Sequence, residues 1–236
     1  MNKGFWAVVV AIVVVFGGIL WFKGNNKANA PSNGAQPTNH VEGLGQKHVT
    51  LLEYGDYECP YCEQYYPVMK QIATSYNNEI VFQFRNLPLT QIHPNAFAGA
   101  RAAEAAALQN KFWQMHDMLY SAQNQWVNTS DPTSYFNQYA AQLGLNVNKF
   151  KTDFVGAQVN NSINADVATF NKTGNDLATP TFFLDGKKIN PGLSFDSDGH
   201  TVNVPASAAL FSKLIDQEIA AKNPAAATPG GSQHPQ

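Results

Sequence analysis

The chain has 236 residues, of which 44% are hydrophobic and 14% are charged, and its formal net charge is −2. This length can form one well-packed domain with an elaboration, or two small domains. The charge excludes the strongly basic surface that nucleic-acid binding requires, so we expect no nucleic-acid partner.

The first predicted element is an apolar segment. After a short tail at residues 1–4, residues 5–22 read FWAVVVAIVVVFGGILWF and contain no charged side chain. An uninterrupted run of this length, aromatic at both ends, can cross a bilayer, so we predict a transmembrane anchor in preference to a buried core helix. A cleaved signal peptide is the alternative, because ANA at residues 28–30 resembles a peptidase site. The long apolar run and the following Pro31 argue against cleavage.

Two polar segments border the predicted domain. Residues 23–45 are rich in Asn, Gly, Pro and Ser and have almost nothing apolar to bury, which is typical of a flexible linker. Residues 223–236 have a similar composition and are expected to form a disordered tail. The folded domain is therefore expected at residues 46–222.

The domain should begin with a strand, a helix and a second strand. The β-branched and aromatic run His48–Tyr54 ends at a glycine, which predicts a buried strand. A helix should start at the cysteines, because Pro60 fits a first helical turn. It should extend to about Asn77. Alternating apolar side chains then predict a strand within Glu79–Leu89.

A helical insertion, a hairpin and a last helix should follow. Residues 94–174 are rich in Ala, with apolar side chains at helical spacing. Asp185-Gly186 divides TPTFFLDGKKIN and is a strong hairpin signal. An amphipathic helix is expected at about residues 205–221. This order predicts a thioredoxin-like α/β fold, a central β-sheet flanked by helices, with a helical insertion.

Cys59 and Cys62, in DYECPYCE, are the only cysteines in the chain. A C-x-x-C pair can be redox-active, a structural disulfide, half of a zinc site, or chance. Zinc needs about four ligands, and no second cysteine pair or close histidine pair exists. A structural disulfide would close a very small ring and remove little chain entropy. A helix start favours thiolate, so we predict Cys59 as the nucleophile and the more buried Cys62 as the resolving thiol.

Four blocks of sequence resemble the DsbA-like thiol:disulfide oxidoreductases of bacteria, in particular the membrane-tethered or lipid-anchored DsbA/BdbD-type proteins. The blocks are VTLLEYGDYECPYC, HPNAFAGARAAEAA, KFWQMHDMLY and TPTFFLDGKKI, in order, over about residues 46–220. The resemblance implies a redox-active Cys59–Cys62 disulfide that is passed to client proteins through a mixed disulfide at Cys59. We expect no cofactor and no metal.

The resemblance also implies roles for other residues. Cys59 matches the family's exposed attacking cysteine, and Glu53 matches a buried acid that could relay the proton of Cys62. The alternative for Glu53 is an ordinary strand-end carboxylate. Pro180 matches a cis-proline beside the disulfide, and Thr179 would offer its backbone to an extended substrate. Pro60 and Tyr61, between the cysteines, are likewise expected to contact the substrate.

One departure concerns the oxidising strength. Tyr61 stands where DsbA itself has a histidine that helps to hold the thiolate, and the acidic Asp56 and Glu58 should oppose a thiolate at Cys59. We therefore expect an oxidant weaker than DsbA, between about −120 mV for DsbA and about −200 to −230 mV for glutaredoxins.

The thiols and the N-terminal apolar segment indicate where the domain works, and the resemblance implies the partner that would reoxidise it. A single-pass protein with its N-terminus inside and its catalytic domain outside the cytoplasm would oxidise reduced or unfolded secreted clients; a cleaved, secreted form is the alternative. A quinone-linked membrane reoxidase of the DsbB or VKOR type would restore the disulfide.

Other interpretations of the chain are a reductase or isomerase kept reduced by an electron donor, a non-catalytic tethered module that binds peptides, and a copper-handling protein.

Overall fold

The computed structural model describes residues 34–191, 193–195, 201–203 and 207–224. A five-stranded sheet has the order β1-β3-β2-β4-β5, and β6 and β7 form a separate two-stranded ribbon. The strands are β1 (His40–Glu42), β2 (Val49–Gly55), β3 (Ile80–Asn86), β4 (Thr181–Leu184), β5 (Lys187–Ile189), β6 (Leu193–Phe195) and β7 (Thr201–Asn203). The helices of the described residues are α1 (Pro60–Ser75), α2 (Ala96–Ala107), α3 (Phe112–Ser121), α4 (Gln123–Trp126), α5 (Thr133–Gln142), α6 (Val147–Phe154), α7 (Ala157–Asn171) and α8 (Ala208–Lys222).

The centre of the sheet is β2, which carries the chain into the cysteine motif. It pairs in parallel with β3 and antiparallel with β4, so both of its edges are satisfied. Alternate residues face opposite sides, and Leu51 contributes to the core that α1 and α8 cover. Tyr54 points to the other side, where it packs with Phe170 of α7 and Phe183. A thioredoxin-like fold is therefore confirmed.

The helical insertion comprises α2 to α7, between β3 and β4. Small side chains dominate α2, so neighbouring helices can approach it closely, and Ala102, Ala103, Ala105 and Ala106 are fully buried. The same core includes Phe84 of the sheet, both cysteines and Trp126 of α4. The insertion thus packs directly against the end of the sheet where the cysteines lie.

A tight turn joins β4 to β5 at the predicted position. Asp185 and Gly186 both have positive φ, at 48° and 79°. Two consecutive residues in the left-handed region make the hairpin turn that Asp-Gly favours. The Asp185 carboxylate also accepts a hydrogen bond from the backbone N–H of Thr50, at 2.9 Å, which fastens the turn to β2.

The strand β1 corrects one prediction. It lies within residues 23–45, the predicted flexible linker, and pairs antiparallel with β3 through His40↔Phe84 and Glu42↔Phe82. The linker prediction is wrong for these three residues. Three residues are too few to show strand periodicity, and the pairing partner lies about 40 residues along the chain.

The predicted anchor at residues 5–22 lies outside the described residues. Within the part of the chain that the structure describes, no helix is long and apolar enough to span a bilayer.

A buried polar network holds the segment around β1 in place. The Asp166 carboxylate accepts hydrogen bonds from the Thr38 N–H and hydroxyl, both at 2.7 Å, and from the Asn86 N–H, at 3.0 Å. The Glu104 carboxylate lies 2.8 Å from His40 Nε2 and accepts from the Asn86 amide at 2.7 Å. These contacts join β1, β3, α2 and α7.

We expect Asp166→Asn to destabilise the fold by about 2 to 4 kcal/mol, because the amide nitrogen would face donors that a carboxylate oxygen now accepts from. Urea unfolding at pH 7.5 measures the change. The matched control is Asp176→Asn, since Asp176 is exposed. An equal change in both variants would contradict a specific role for the network.

Candidate active site

Cys59 is the N-cap of α1. Its backbone is extended (φ −71°, ψ 123°), and Pro60 occupies the first helical position, where a missing N–H costs nothing. The Cys59 sulfur therefore faces the free N–H groups of Tyr61 and Cys62 at the start of the helix. It also lies 3.4 Å from the carbonyl oxygen of Thr179.

The surroundings of Cys59 lower the pKa of its thiol from 9.0 to about 6. The largest cause is a hydrogen bond from the Cys62 thiol, which exceeds the opposing effect of burial. The Thr179 side chain and the N–H groups of Cys62 and Tyr61 lower the pKa further. A thiol with this pKa is mainly thiolate at neutral pH, and the thiolate is the reactive form.

Cys62 has the opposite character. It is completely buried, and burial raises the pKa of its thiol well above 9.0. Its sulfur accepts a hydrogen bond from the Asp56 backbone N–H at 3.5 Å. The pair therefore consists of one thiolate and one neutral thiol that donates to it, which is the division of roles between an attacking and a resolving cysteine.

Cys59 is buried, whereas the resemblance implied an exposed attacking cysteine. Only 3% of Cys59 is accessible, because the residue packs in the core shared with the helical insertion. Both cysteines are free thiols in the structure, so the disulfide stays a prediction. The difference in access between Cys59 and Cys62 is small, and the difference in pKa separates their roles.

Glu53 lies on β2 and is 2% exposed. Burial, followed by the negative charge of Cys59, raises the pKa of its carboxyl to about 8. Glu53 is therefore mostly protonated at neutral pH. Its charge also raises the pKa of Cys62, which shows that the two groups are electrostatically coupled. Such a carboxyl can supply or accept a proton at Cys62, and the relay role stays a prediction.

The segment before β4 forms the opposite side of the site. The Thr179–Pro180 peptide bond is cis, the geometry that the resemblance implied. The Thr181 hydroxyl donates to the carbonyl of Ala178 at 2.7 Å and holds this turn. Leu177 and Tyr61 are 60% and 64% exposed, so apolar surface is present on the two segments that meet at Cys59. This surface could contact an extended apolar peptide.

The two acidic residues of the motif, Asp56 and Glu58, both have hydrogen-bond partners in the loop between β3 and α2. The Asp56 carboxylate accepts from the N–H groups of Glu58 and Leu89, both at 2.9 Å, and lies 2.7 Å from His93 Nδ1. The Glu58 carboxylate accepts from the Asn95 N–H at 2.5 Å, and burial raises its pKa. Because hydrogen-bond donors surround both carboxylates, these side chains oppose the Cys59 thiolate less than the sequence predicted.

Two residues near the site were not found from the sequence. The amide of Gln123, in α4, donates to the carbonyls of Tyr57 and Cys59 at 2.9 and 3.0 Å, so the insertion holds the loop before α1. Nothing in the sequence around Gln123 signals this contact. His93, which lies 2.7 Å from Asp56, has no predicted role, although the HPNAF block that contains it carried part of the resemblance.

Comparison with known proteins gives the chain's relationships. A family model described as Thioredoxin matches residues 35–217. The chain is 38% identical over 163 residues to the Na⁺/H⁺ antiporter NhaA 1 of Salinispora arenicola and 36% identical over 150 residues to NhaA 3 of Salinispora tropica. These matches cover 67% and 64% of this chain but 23% and 22% of the antiporters. The chain thus spans about a quarter of the length of these curated relatives.

Solved structures share the fold at low sequence identity. The α-DsbA1 protein of Wolbachia pipientis superimposes with a TM-score of 0.63 and 19% identity, over 80% of this chain and 95% of that one. BdbD of Bacillus subtilis, in its oxidised form, gives a TM-score of 0.59 and 20% identity, over 80% and 96% of the two chains.

Proposed function

The chain belongs to the thioredoxin family, and from this premise we propose that it is a protein thiol:disulfide oxidoreductase that introduces disulfides into client proteins. The observation that carries the proposal is the asymmetry of the two thiols. The pKa of Cys59 is lowered to about 6, whereas that of Cys62 is raised well above 9.0. A stabilised Cys59 thiolate favours the reduced pair, and a protein whose reduced form is stabilised is an oxidant.

The reaction starts from a Cys59–Cys62 disulfide. A client thiolate attacks the Cys59 sulfur, the bond between the two cysteines breaks, and its electron pair goes to Cys62, which takes a proton from Glu53. A second client thiolate then attacks the client sulfur of the mixed disulfide, and Cys59 leaves as a thiolate. The client dithiol is oxidised by two electrons and the cysteine pair is reduced.

The client would lie against the exposed part of the site. Thr179 and Pro180 would present backbone to an extended chain, while Pro60 and Tyr61 would contact its side chains. The exposed Leu177 and Tyr61 support an apolar client segment, such as an unfolded protein offers. The solved relatives named DsbA and BdbD support thiol chemistry on this fold.

The proposed location is outside the cytoplasm, behind a single-pass anchor at residues 5–22 with the N-terminus inside. Disulfide donors act where disulfides persist, which excludes a reducing compartment. The similarity to segments of Na⁺/H⁺ antiporters supports a position beside a membrane, because antiport takes place across one. A quinone-linked membrane oxidase of the DsbB or VKOR type would regenerate the disulfide.

Trapping of clients tests the activity. Cys62→Ser removes the resolving thiol, so client proteins should remain joined to Cys59 and appear as high-mass, reductant-sensitive species on a non-reducing gel. The double variant Cys59→Ser/Cys62→Ser is the control and should trap nothing. If Cys62→Ser is folded and traps no client in cells that secrete reduced proteins, the chain is a binding module and the proposed activity is wrong.

The redox state of the pair in cells decides the direction. Acid quenching followed by alkylation should show a mainly disulfide-bonded Cys59–Cys62 pair in the wild type. A mainly dithiol pair would instead favour a reductase or isomerase that an electron donor keeps reduced.

A further inference from the structure

The loop between β3 and α2 is fastened to the cysteine motif by three acceptors of residues 55–58. The Gly55 carbonyl accepts from the Leu87 N–H at 2.8 Å. The Asp56 carboxylate accepts from the Leu89 N–H, and the Glu58 carboxylate accepts from the Asn95 N–H. The sequence does not assign a role to this loop, yet three points tie it to the turn before α1.

His93 supplies the side-chain contact of this loop. Its Nδ1 lies 2.7 Å from an Asp56 carboxylate oxygen, and a carboxylate can only accept, so the imidazole donates. Among the hydrogen bonds of the described residues, His93 is the only side chain that donates to Asp56. The Asp56 side chain is fully buried and the His93 side chain is 16% exposed. A buried carboxylate depends strongly on its donors, because water cannot replace them.

Asp56 in turn positions both cysteines through its backbone. Its carbonyl accepts from the Cys59 N–H at 3.1 Å, and its N–H donates to the Cys62 sulfur at 3.5 Å. The Cys62 thiol is the largest cause of the lowered pKa of Cys59, so the placement of Cys62 bears directly on the attacking sulfur. Hydrogen bonds therefore run from His93 through Asp56 to the backbone N–H of Cys59 and to the sulfur of Cys62.

We propose that His93 is a positioning residue for the thiol pair: by donating to Asp56 it fixes the turn whose backbone holds the N–H of Cys59 and the sulfur of Cys62. The role rests on the proposed function only in taking Cys59 as the attacking thiol. Negative groups near His93 are Asp56 and Glu58, both in the turn before α1.

The test compares two substitutions that differ in one donor. His93→Asn places an amide N–H close to the position of Nδ1, whereas His93→Leu removes the donor. The pH profile of Cys59 alkylation by iodoacetamide measures the outcome without any client. We expect the midpoint to stay within a few tenths of a unit in His93→Asn and to rise by about one unit in His93→Leu.

Two results would overturn the proposal: unchanged midpoints in both variants, or an equal rise in both. His48→Leu, outside the site, is the control for losing a histidine and should leave the midpoint unchanged. If circular dichroism shows that His93→Leu is unfolded, His93→Ala replaces it, since Ala removes the donor without adding apolar bulk. Client trapping by Cys62→Ser remains a separate measurement, so a failure of the proposed function is distinguishable from a failure of this one.

Discussion

Alkylation of the reduced wild-type protein is expected to modify Cys59 with a midpoint near pH 6 and to leave Cys62 unmodified between pH 5 and 9. The pKa of Cys59 is lowered to about 6, so roughly 90% of its sulfur is thiolate at pH 7. An ordinary thiol with a pKa of 9.0 would be about 1% thiolate, which makes the expected gain in reactive form roughly 100-fold. Peptide mass spectrometry after timed iodoacetamide reaction identifies the modified cysteine.

Changes at Cys62 test the cause of this shift. Cys62→Ala removes the largest contribution to the lowered pKa of Cys59, so the alkylation midpoint should rise by about one unit or more. Cys62→Ser keeps a hydroxyl donor of similar size and should retain most of the shift. The low exposure of Cys59 slows the absolute rate in every variant equally, whereas the midpoint reports ionisation. A wild-type midpoint above pH 8 would contradict the assignment of Cys59 as the stabilised thiolate.

The same pKa gives the sign of a stability change in the reduced protein. A group whose pKa is lowered by folding stabilises the fold above its unfolded pKa, and this stabilisation is lost as the pH falls through the folded pKa. For Cys59 the contribution is complete above about pH 9 and is lost as the pH falls through about 6. Reduced Cys59→Ala should therefore lose this pH dependence.

Local signals in the sequence were sufficient for much of the fold. Pro60 after a cysteine marked the start of α1, because proline fits the first helical turn without the loss of a backbone hydrogen bond. Asp185-Gly186 marked the hairpin, because few residue pairs accept two positive φ angles. Periodicity marked the long helices of the insertion and the two central strands. The C-x-x-C spacing identified the two thiols at the site.

Contacts between distant segments could not be predicted in this way. Gln123 contacts Cys59 across 64 residues, and His93 contacts Asp56 across 37 residues. A hydrogen bond formed across such separations depends on how the insertion packs, which no short window of sequence encodes. The prediction that Cys59 is exposed was wrong for the same reason, since the helices that cover Cys59 belong to the insertion. Asp56 was predicted as a repulsive charge because its partners lie in another loop.

The second large effect is expected at Glu53. During attack on the disulfide, Cys62 leaves as a buried thiolate, and its raised pKa means that it needs a proton. Glu53 is placed to hold one because burial, the largest cause of its shift, raises the pKa of its carboxyl whether or not Cys59 is charged. We expect Glu53→Gln to slow mixed-disulfide formation by about 10²-fold, the lower range for loss of a general acid. Stopped-flow reaction of the oxidised protein with a client peptide containing one thiol measures this rate.

The pH dependence separates a proton relay from a merely structural carboxyl. Divided by the thiolate fraction of the peptide, the wild-type rate should fall as the pH rises through the raised pKa of Glu53, which in the disulfide form lies below the value of about 8 found beside the Cys59 thiolate. Glu53→Gln should show no such fall. The stability of the wild type should also decline across this range, since a pKa raised by folding stabilises the fold below the ordinary value of 4.5 and that contribution is lost through about 8.

Glu63→Gln provides the matched control, because it removes one carboxylate from the first turn of α1, a single residue beyond Cys62, without touching the buried one. Its rate and its pH profile should equal those of the wild type. If Glu53→Gln gains stability above pH 8 while its rate and profile also remain those of the wild type, the carboxyl is buried but carries no proton for Cys62. The proton must then reach Cys62 by another route, and the only remaining role for Glu53 is that of a strand carboxylate whose charge the fold disfavours.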